Sequence, residues 1–243
     1  MFNFLKPPKF PAVLLIIASF ATLILLPLFF FMFKMTLSTY ATGSGNDKYF
    51  FKRYDSDPLI TNVPDLKDML SGPVISNSDP SFGDVNAPVT LVEYSDFQCG
   101  FCQNQENVLK QILKEYGNKI RLVWKDYPEG KINSPSWEKS IAARCAGEQN
   151  QFWPYHDLLF KDTNGGFSTS QAIALAKELK LDDKKFSACL ADPGIRSGIR
   201  DDITEANALQ ITGVPFIYVN NQELMGATSL DDLKNVIDKQ LNK

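Results

Sequence analysis

The chain has 243 residues, of which 44% are hydrophobic, and 28 acidic residues against 25 basic ones give it a net charge of -3. This composition excludes a chain that is disordered throughout. The absence of a basic excess argues against a nucleic-acid-binding protein. The length allows one large domain with an appendage.

The first predicted element is an apolar segment at residues 10–33, which follows a short N-terminal segment, residues 1–9. No residue between Lys9 and Lys34 is charged, and the segment exceeds the roughly 20 apolar residues that cross a bilayer. We predict an uncleaved transmembrane signal anchor. A cleaved signal peptide and a buried core helix are the alternatives, although the apolar core of a signal peptide is only about 7–15 residues long. Residues 34–82 are rich in small and polar residues and are predicted to form a linker.

The globular domain is predicted at residues 83–243 and begins with a strand, a helix and a second strand. The β-branched and aromatic run at residues 89–94 predicts a buried strand, and residues 120–125 predict another. Between them, apolar residues at helical spacing predict a helix that ends at Gly117. This order forms a βαβ unit, in which the two strands pair in parallel.

A helical block and a ββα unit complete the domain. Residues 134–209 are predicted to be helical throughout, with a capping box beginning at Ser168. Residues 216–219 and 223–225 predict two short strands, and Ser229 marks the start of the last helix. We therefore predict an α/β domain with a small mixed sheet and helices on both faces.

The pair Cys99 and Cys102 stands between the first strand and its helix. A thiolate is stabilised at a helix N-terminus, so Cys99 is the predicted reactive sulfur, and Cys102, one turn further on, is predicted to be more buried. The pattern favours thiol–disulfide exchange; a purely structural bridge is the alternative. A zinc site is disfavoured because the other cysteines are isolated and one histidine cannot complete four ligands. No metal or other cofactor is predicted.

The other two cysteines are Cys145 and Cys189. An even number of cysteines behind a secretory segment suits an oxidising compartment. The close spacing of Cys99 and Cys102 leaves Cys145 and Cys189 as the second pair, and two free buried cysteines are the alternative. Further along, Pro215 precedes the third strand, and by itself it indicates only the start of that strand.

Four stretches of the sequence resemble the DsbA-like disulfide oxidoreductases of the thioredoxin superfamily. They are residues 83–90, 94–102, 142–149 and 213–215, with the sequences GDVNAPVT, YSDFQCGFC, AARCAGEQ and GVP. The resemblance covers about residues 83–243. It implies a thioredoxin fold with an α-helical domain, about residues 134–209, inserted between the second and third strands.

The resemblance also implies roles for residues around the cysteine pair. It makes Cys99 the nucleophile and Cys102 its partner. It makes Pro215 a cis-proline that faces the pair, with Val214 offering backbone hydrogen bonds to a substrate strand. Phe101 stands where DsbA has histidine, so we expect a weaker oxidant, because phenylalanine cannot donate a hydrogen bond to the thiolate.

Two further pairs of residues follow from the same resemblance. Glu93 matches a buried acid that tunes the cysteine pair, and we expect Lys125 on the next strand to pair with it. A solvated strand edge is the alternative for both. Cys145 and Cys189 match a structural disulfide found in part of the family.

We predict a single-pass cell-membrane protein whose extracytoplasmic domain introduces disulfides into exported proteins. Its expected partners are exported or unfolded cysteine-containing proteins and a membrane redox partner that reoxidises the dithiol, with no nucleic acid. The alternatives are a reductase or isomerase with the same pair, and a tethered binding module or chaperone with structural cysteines. The single histidine, His156, is expected to be a structural residue of the helical block.

Overall fold

The structure, a computed structural model, describes residues 70–162 and 165–242. Its strands are β1 (Ser81–Gly83), β2 (Val89–Ser95), β3 (Ile120–Asp126), β4 (Phe216–Val219) and β5 (Gln222–Met225). Its helices are α1 (Gly100–Tyr116), α2 (Pro135–Gly147), α3 (Phe152–Lys161), α4 (Thr169–Glu178), α5 (Asp183–Leu190), α6 (Pro193–Ala208) and α7 (Leu230–Leu241).

The strands form one mixed sheet in the order β1-β3-β2-β4-β5. β2 and β3 are parallel, as the βαβ pattern predicts, while β4 pairs antiparallel with β2 and β5 antiparallel with β4. The helix between the parallel strands ends at Gly117, whose φ of 54° is a conformation that glycine adopts readily. The capping box at Ser168 and the helix start at Ser229 are also present.

The edge strand β1 differs from the prediction, which gave residues 34–82 to a linker. Ser81–Gly83 pairs antiparallel with β3. All three of its residues are exposed, so the strand carries no alternation of apolar and polar residues by which a sequence pattern would reveal it.

The predicted signal anchor, residues 10–33, and the N-terminal segment before it lie outside the described residues, as do linker residues 34–69. Within the part of the chain that the structure describes, no helix is both long enough and apolar enough to cross a membrane.

The two faces of the sheet are covered by different helices. On one face, buried residues of α1 and α7, including Leu109 and Ile237, pack against Leu91 and Leu122 of the central strands. On the other face, Ala206 of α6 belongs to a cluster built from the alternate residues of β2, β3 and β4. Successive residues of a strand point to opposite faces, so each central strand contributes to both clusters.

The chain between β3 and β4 holds five helices, α2 to α6, in the region predicted to be helical throughout. Their core is continuous with the cysteine pair, because Cys102 and Trp124 belong to the same buried cluster as the helical residues. A disulfide joins Cys145 of α2 to Cys189 of α5, 44 positions apart. Closing a loop of that length stabilises a fold by roughly 4 kcal/mol in the chain-entropy account.

A buried ionic network lies at the end of β3, between the sheet and helices α2 and α6. Its members are Lys125, Arg144, Asp79, Asp126, Asp202 and Glu205. The Nζ atom of Lys125 lies 3.0 Å from Asp79 and 3.3 Å from Asp202. Arg144 pairs with both Asp126 and Asp202. Two cations thus face four carboxylates, which favours retention of a proton by one of the acids.

The proton retained by Asp202 makes stability depend on pH. Burial, reinforced by the charge of Asp126, outweighs the pull of Arg144 and raises the pKa of Asp202 to about 7. The folded state therefore holds a proton that the unfolded state releases between about pH 4 and 7, so stability falls as pH rises through that range. We expect the free energy of unfolding, measured in urea, to decrease from pH 5 to pH 8. In Asp202→Asn this decrease should be smaller by about 2 kcal/mol.

The control for this prediction is Asp183→Asn. Asp183 lies on the surface and forms an exposed ion pair with Lys177. Its replacement should therefore leave the decrease in the free energy of unfolding from pH 5 to pH 8 the same as in the unaltered protein. An Asp202→Asn variant that loses as much stability between pH 5 and pH 8 as the unaltered protein does would contradict the assignment.

Candidate active site

The cysteine pair opens helix α1 at the carboxyl end of β2. Cys99 is the N-cap of the helix, and its Sγ accepts a hydrogen bond of 3.2 Å from the backbone N–H of Cys102. No acidic residue lies in the first turn of α1, so nothing there offsets the positive end of the helix dipole. These features place Cys99 where negative charge on its sulfur is stabilised.

The two sulfurs have unequal environments. Both cysteines are free thiols, but Cys99 is partly exposed, whereas Cys102 has no exposed surface. Burial, with a further contribution from the neighbouring Cys99, raises the pKa of the Cys102 thiol far above its ordinary value. An incoming thiol can therefore reach Cys99 and not Cys102, and Cys102 holds its proton at neutral pH.

Val214 and Pro215 face the pair across the site. The Val214–Pro215 peptide bond is cis, and the Cys99 thiol donates to the Val214 carbonyl at 3.7 Å. The Pro215 carbonyl accepts a hydrogen bond of 2.9 Å from Gly226 after β5. The structure thus brings together Cys99, Cys102, Val214 and Pro215, the four residues that the sequence predicts at this site.

Asp96, for which the sequence predicts no role, organises the loop between β2 and Cys99. Its carboxylate is buried and accepts hydrogen bonds from the backbone N–H groups of Gln98 and Glu129, at 2.8 and 2.9 Å, and from the hydroxyl of Ser136. Its backbone carbonyl accepts from the N–H of Cys99 at 3.1 Å. Asp96 therefore fixes Cys99 relative to the helical insertion. The aspartate two residues before Gln98 is a turn signal that could have been recognised.

The expected pairing of Glu93 with Lys125 is wrong. The register of β2 and β3 sets Glu93 opposite Trp124, and Tyr94 opposite Lys125. Because successive side chains alternate between faces, Glu93 and Lys125 point to opposite sides of the sheet, and Lys125 joins the ionic network instead. The alternative of a solvated strand edge is wrong as well, since the two residues are only 0% and 3% exposed.

Glu93 lies on the same face of the sheet as α1. Burial, followed by the charge of Glu106 on α1, raises the pKa of Glu93 well above its ordinary value. His156 of α3 is also buried on this side, with its Nε2 atom 3.4 Å from Glu106. The side of the site opposite solvent is thus lined by ionisable groups.

The open side of the site is apolar. Phe101, between the two cysteines, is 68% exposed. Its ring lies on the solvent side of the helix start, where the family resemblance implies histidine.

Among residues 70–162 and 165–242, no group of three or more histidine, cysteine, aspartate or glutamate side chains is arranged to hold a metal ion.

Comparison with known proteins identifies similar sequences. A family profile described as Thioredoxin matches residues 76–239. The probable disulfide bond formation protein D of Bacillus anthracis is 28% identical over 190 residues, which are 74% of this chain and 87% of that protein. The Na(+)/H(+) antiporter NhaA 1 of Salinispora arenicola is 32% identical over 165 residues, which are 68% of this chain. The chain spans only 25% of that antiporter's length, so the likeness concerns one part of a longer protein.

Solved structures share the fold. BdbD from Bacillus subtilis, in its oxidised form, superposes with a TM-score of 0.61 at 22% identity, covering 68% of this chain and 94% of that one. The thiol–disulfide exchange protein alpha-DsbA2 from Wolbachia pipientis gives a TM-score of 0.60 at 22% identity, covering 67% of this chain and 87% of that one. At this level of identity the likeness establishes the fold alone.

Proposed function

The chain belongs to the thioredoxin family, and we propose that it acts as an extracytoplasmic disulfide oxidase of the DsbA type. The family match, the similarity to the Bacillus protein and the dithiol at the start of α1 support a thiol:disulfide oxidoreductase. The observation that carries the proposal is the inequality of the two sulfurs, with Cys99 reachable at the helix N-terminus and Cys102 buried behind it.

The chemistry uses the oxidised pair as the acceptor of two electrons. A substrate thiolate attacks the sulfur of Cys99, the Cys99–Cys102 bond breaks, and Cys102 leaves and takes up a proton. A second substrate thiolate attacks the substrate sulfur of the mixed disulfide and displaces Cys99 as a thiolate. The substrate is oxidised to a disulfide and the enzyme is left as a dithiol, with the Val214 carbonyl beside Cys99 available to a bound peptide strand.

The proposed partners follow from this cycle. The substrates are exported or unfolded proteins that carry cysteine pairs, and a membrane redox partner returns the dithiol to the disulfide. The disulfide between Cys145 and Cys189 supports an oxidising compartment. The uncharged apolar segment at residues 10–33 supports a single-pass anchor. A topology reporter fused after Lys243 tests this location. Activity of a reporter that works only in the cytoplasm would contradict it.

The reduction potential of the cysteine pair decides the direction of electron flow. We expect equilibration of the full-length protein with glutathione buffers to give a value nearer the about -120 mV of DsbA than the about -270 mV of thioredoxin. Cys99→Ser should abolish turnover. Cys102→Ser should accumulate a mixed disulfide, because its Cys99 thiolate attacks oxidised glutathione, expels one glutathione thiolate and has no Cys102 thiol beside it to displace the other. These two variants are matched, because each removes one sulfur of the pair.

Three other outcomes would change the proposed function. A potential near that of thioredoxin would replace the oxidase by a reductase with the same residues. A Cys99→Ser variant that keeps its partners while the unaltered protein shows no turnover would indicate a binding module. A pair that glutathione cannot reduce at any ratio would be structural, and the enzyme proposal would be wrong.

A further inference from the structure

A short loop, residues 211–215 and here called the cis-proline loop, carries Val214 between two fixed points. At one end, Ile211 is 2% exposed, and its backbone N–H donates a hydrogen bond of 2.9 Å to a carbonyl in the last turn of α6. At the other end, the Pro215 carbonyl accepts a hydrogen bond of 2.9 Å from the N–H of Gly226. Three residues lie between these ends, so the position of Val214 depends on how firmly each end is bound.

Tyr127, the first residue after β3, binds the Ile211 end of the loop. Its hydroxyl donates a hydrogen bond of 3.3 Å to the Ile211 carbonyl. Its ring packs against the same buried cluster as the side chain of Val214. Among residues 70–162 and 165–242, Tyr127 and Cys99 are the only residues whose side chains form hydrogen bonds with the cis-proline loop. The tyrosine hydroxyl is therefore the one side-chain attachment of this loop outside the reacting pair.

The backbone around Tyr127 is itself bound to the loop before the reactive cysteine. The N–H of Tyr127 donates a hydrogen bond of 2.9 Å to the carbonyl of Ser95, the last residue of β2. The N–H of Glu129 donates at 2.9 Å to the carboxylate of Asp96, whose carbonyl accepts from the N–H of Cys99. The segment from Tyr127 to Glu129 thus binds the loop of the nucleophile with its backbone and the cis-proline loop with its tyrosine hydroxyl.

We infer that Tyr127 is a positioning residue for peptide substrates, because it fixes the Val214 backbone relative to Cys99. The inference rests on the proposed function, in which a peptide strand lies along Val214 while its thiolate attacks Cys99. Such a peptide must reach the backbone of one loop and the sulfur of the other at the same time. Two loops that already hold the required separation leave less motion to be lost when the peptide binds. Tyr127 therefore acts on peptide binding through the cis-proline loop.

The other contacts of the loop keep it in place when the tyrosine hydroxyl is removed. Gly226 still binds the Pro215 carbonyl, and the N–H of Thr228 donates a hydrogen bond of 2.7 Å to the side chain of Gln105 in α1. Phenylalanine in place of Tyr127 also keeps the ring on the buried cluster. The replacement should therefore loosen one end of the loop while the domain stays folded.

The test compares a dithiol that has a peptide backbone with one that has none. The oxidised full-length protein is mixed with an excess of a reduced peptide that contains two cysteines, or with dithiothreitol. Either dithiol gives two electrons and two protons to the Cys99–Cys102 disulfide and becomes a disulfide itself. Acid quenching and alkylation of the protein thiols give the rate. Its dependence on peptide concentration gives the half-saturating concentration and the maximal rate separately.

Tyr127→Phe should weaken peptide binding and leave the chemistry unchanged. We expect the half-saturating peptide concentration to rise roughly threefold to tenfold, the effect of losing one hydrogen bond, with the same maximal rate. The rate with dithiothreitol should not change, because this reagent has no backbone that could pair with Val214. Tyr155→Phe is the matched control, since its hydroxyl also donates to a backbone carbonyl, that of Ala172, but within the insertion. It should leave both peptide parameters as they are in the unaltered protein.

A second peptide shows whether Tyr127 acts through the Val214 backbone. In this peptide the residues that flank each cysteine are N-methylated, so their nitrogens cannot donate a hydrogen bond to the Val214 carbonyl. Two changes that act on one contact are not additive. Tyr127→Phe should therefore leave the half-saturating concentration of the methylated peptide nearly unchanged. A merely structural role would weaken the binding of both peptides alike and would also slow the reaction with dithiothreitol.

Three results would overturn the inference. The first is a Tyr127→Phe variant with the half-saturating peptide concentration of the unaltered protein. The second is an equal loss of rate with dithiothreitol, which would place the effect on Cys99 itself. The third is an equal weakening for the methylated peptide, which would place the effect outside the Val214 contact. Failure of the proposed function looks different, since the unaltered protein would then not oxidise the peptide at all.

Discussion

Arg144→Met is expected to lower the free energy of unfolding by about 3–5 kcal/mol, the usual cost of removing one partner from a buried ion pair. The side chain of Arg144 is only 9% exposed and pairs with both Asp126 and Asp202. Methionine has a similar length and fills the space, but it takes the cation from Asp126 and leaves Asp202 with Lys125 alone. These carboxylates neutralise by binding protons at low pH, so the loss should be larger at pH 8 than at pH 5.

Urea unfolding at the two pH values measures this loss, and a surface ion pair provides the control. Lys177 and Asp183 lie 3.5 Å apart with side chains 61% and 49% exposed, so Lys177→Met should cost at most about 1 kcal/mol. Adding Asp202→Asn to Arg144→Met should restore part of the stability, because one of the two neighbouring carboxylates that lost Arg144 is then uncharged. A loss from Arg144→Met no larger than that from Lys177→Met would show that the network does not hold the insertion to the sheet.

The sequence predicts those parts of the fold that depend on local patterns. The parallel strands around α1 follow from an apolar run, a helical spacing and a second apolar run, and each of these signals lies within a few residues. The helix starts at Ser168 and Ser229 follow from capping patterns of the same short range. The cysteine pair belongs to this class, because its position between a strand and a helix places Cys99 at the helix N-terminus.

The contacts that the sequence does not predict are set by register or by distant partners. Glu93 and Lys125 lie on adjacent strands, but a shift of one residue in register decides which face each side chain occupies. His156 lies on a helix of aromatic residues and is expected to be structural, yet its buried partner Glu106 comes from a different helix, α1. The strand β1 is exposed at all three positions, so its pairing with β3 leaves no pattern in the sequence.

Asp96 shows how a local motif acquires a function from distant residues. Its bond to the N–H of Gln98 belongs to a turn that the sequence suggests. Its bonds to Glu129 and Ser136 join the active-site loop to the segment after β3 and to the first helix of the insertion. Since the carbonyl of the same residue holds the N–H of Cys99, the position of the reactive sulfur depends on how the insertion packs. The insertion thus contributes to the active site by holding the loop that carries Cys99.

This dependence leads to a second large expected effect, for Asp96→Ala. Hydrogen bonds to a charged group contribute about 1.5–3 kcal/mol each, and three are lost, so the free energy of unfolding should fall by about 4.5 kcal/mol or more. The rate at which Cys99 reacts with iodoacetamide should also change, because the loop before it loses its attachment to Glu129 and Ser136. Urea unfolding and alkylation rates measure the two effects on the full-length protein.

Asp84→Ala is the matched control for Asp96→Ala. Asp84 accepts a hydrogen bond of 2.9 Å from the backbone N–H two residues later, at Asn86, just as Asp96 does from Gln98, but it lies on the surface. Its replacement removes the same local turn contact and should cost about 1 kcal/mol at most. If Asp96→Ala cost no more than Asp84→Ala and left Cys99 alkylation unchanged, the local turn alone would position the nucleophile. The packing of the insertion would then have no part in positioning the reactive sulfur.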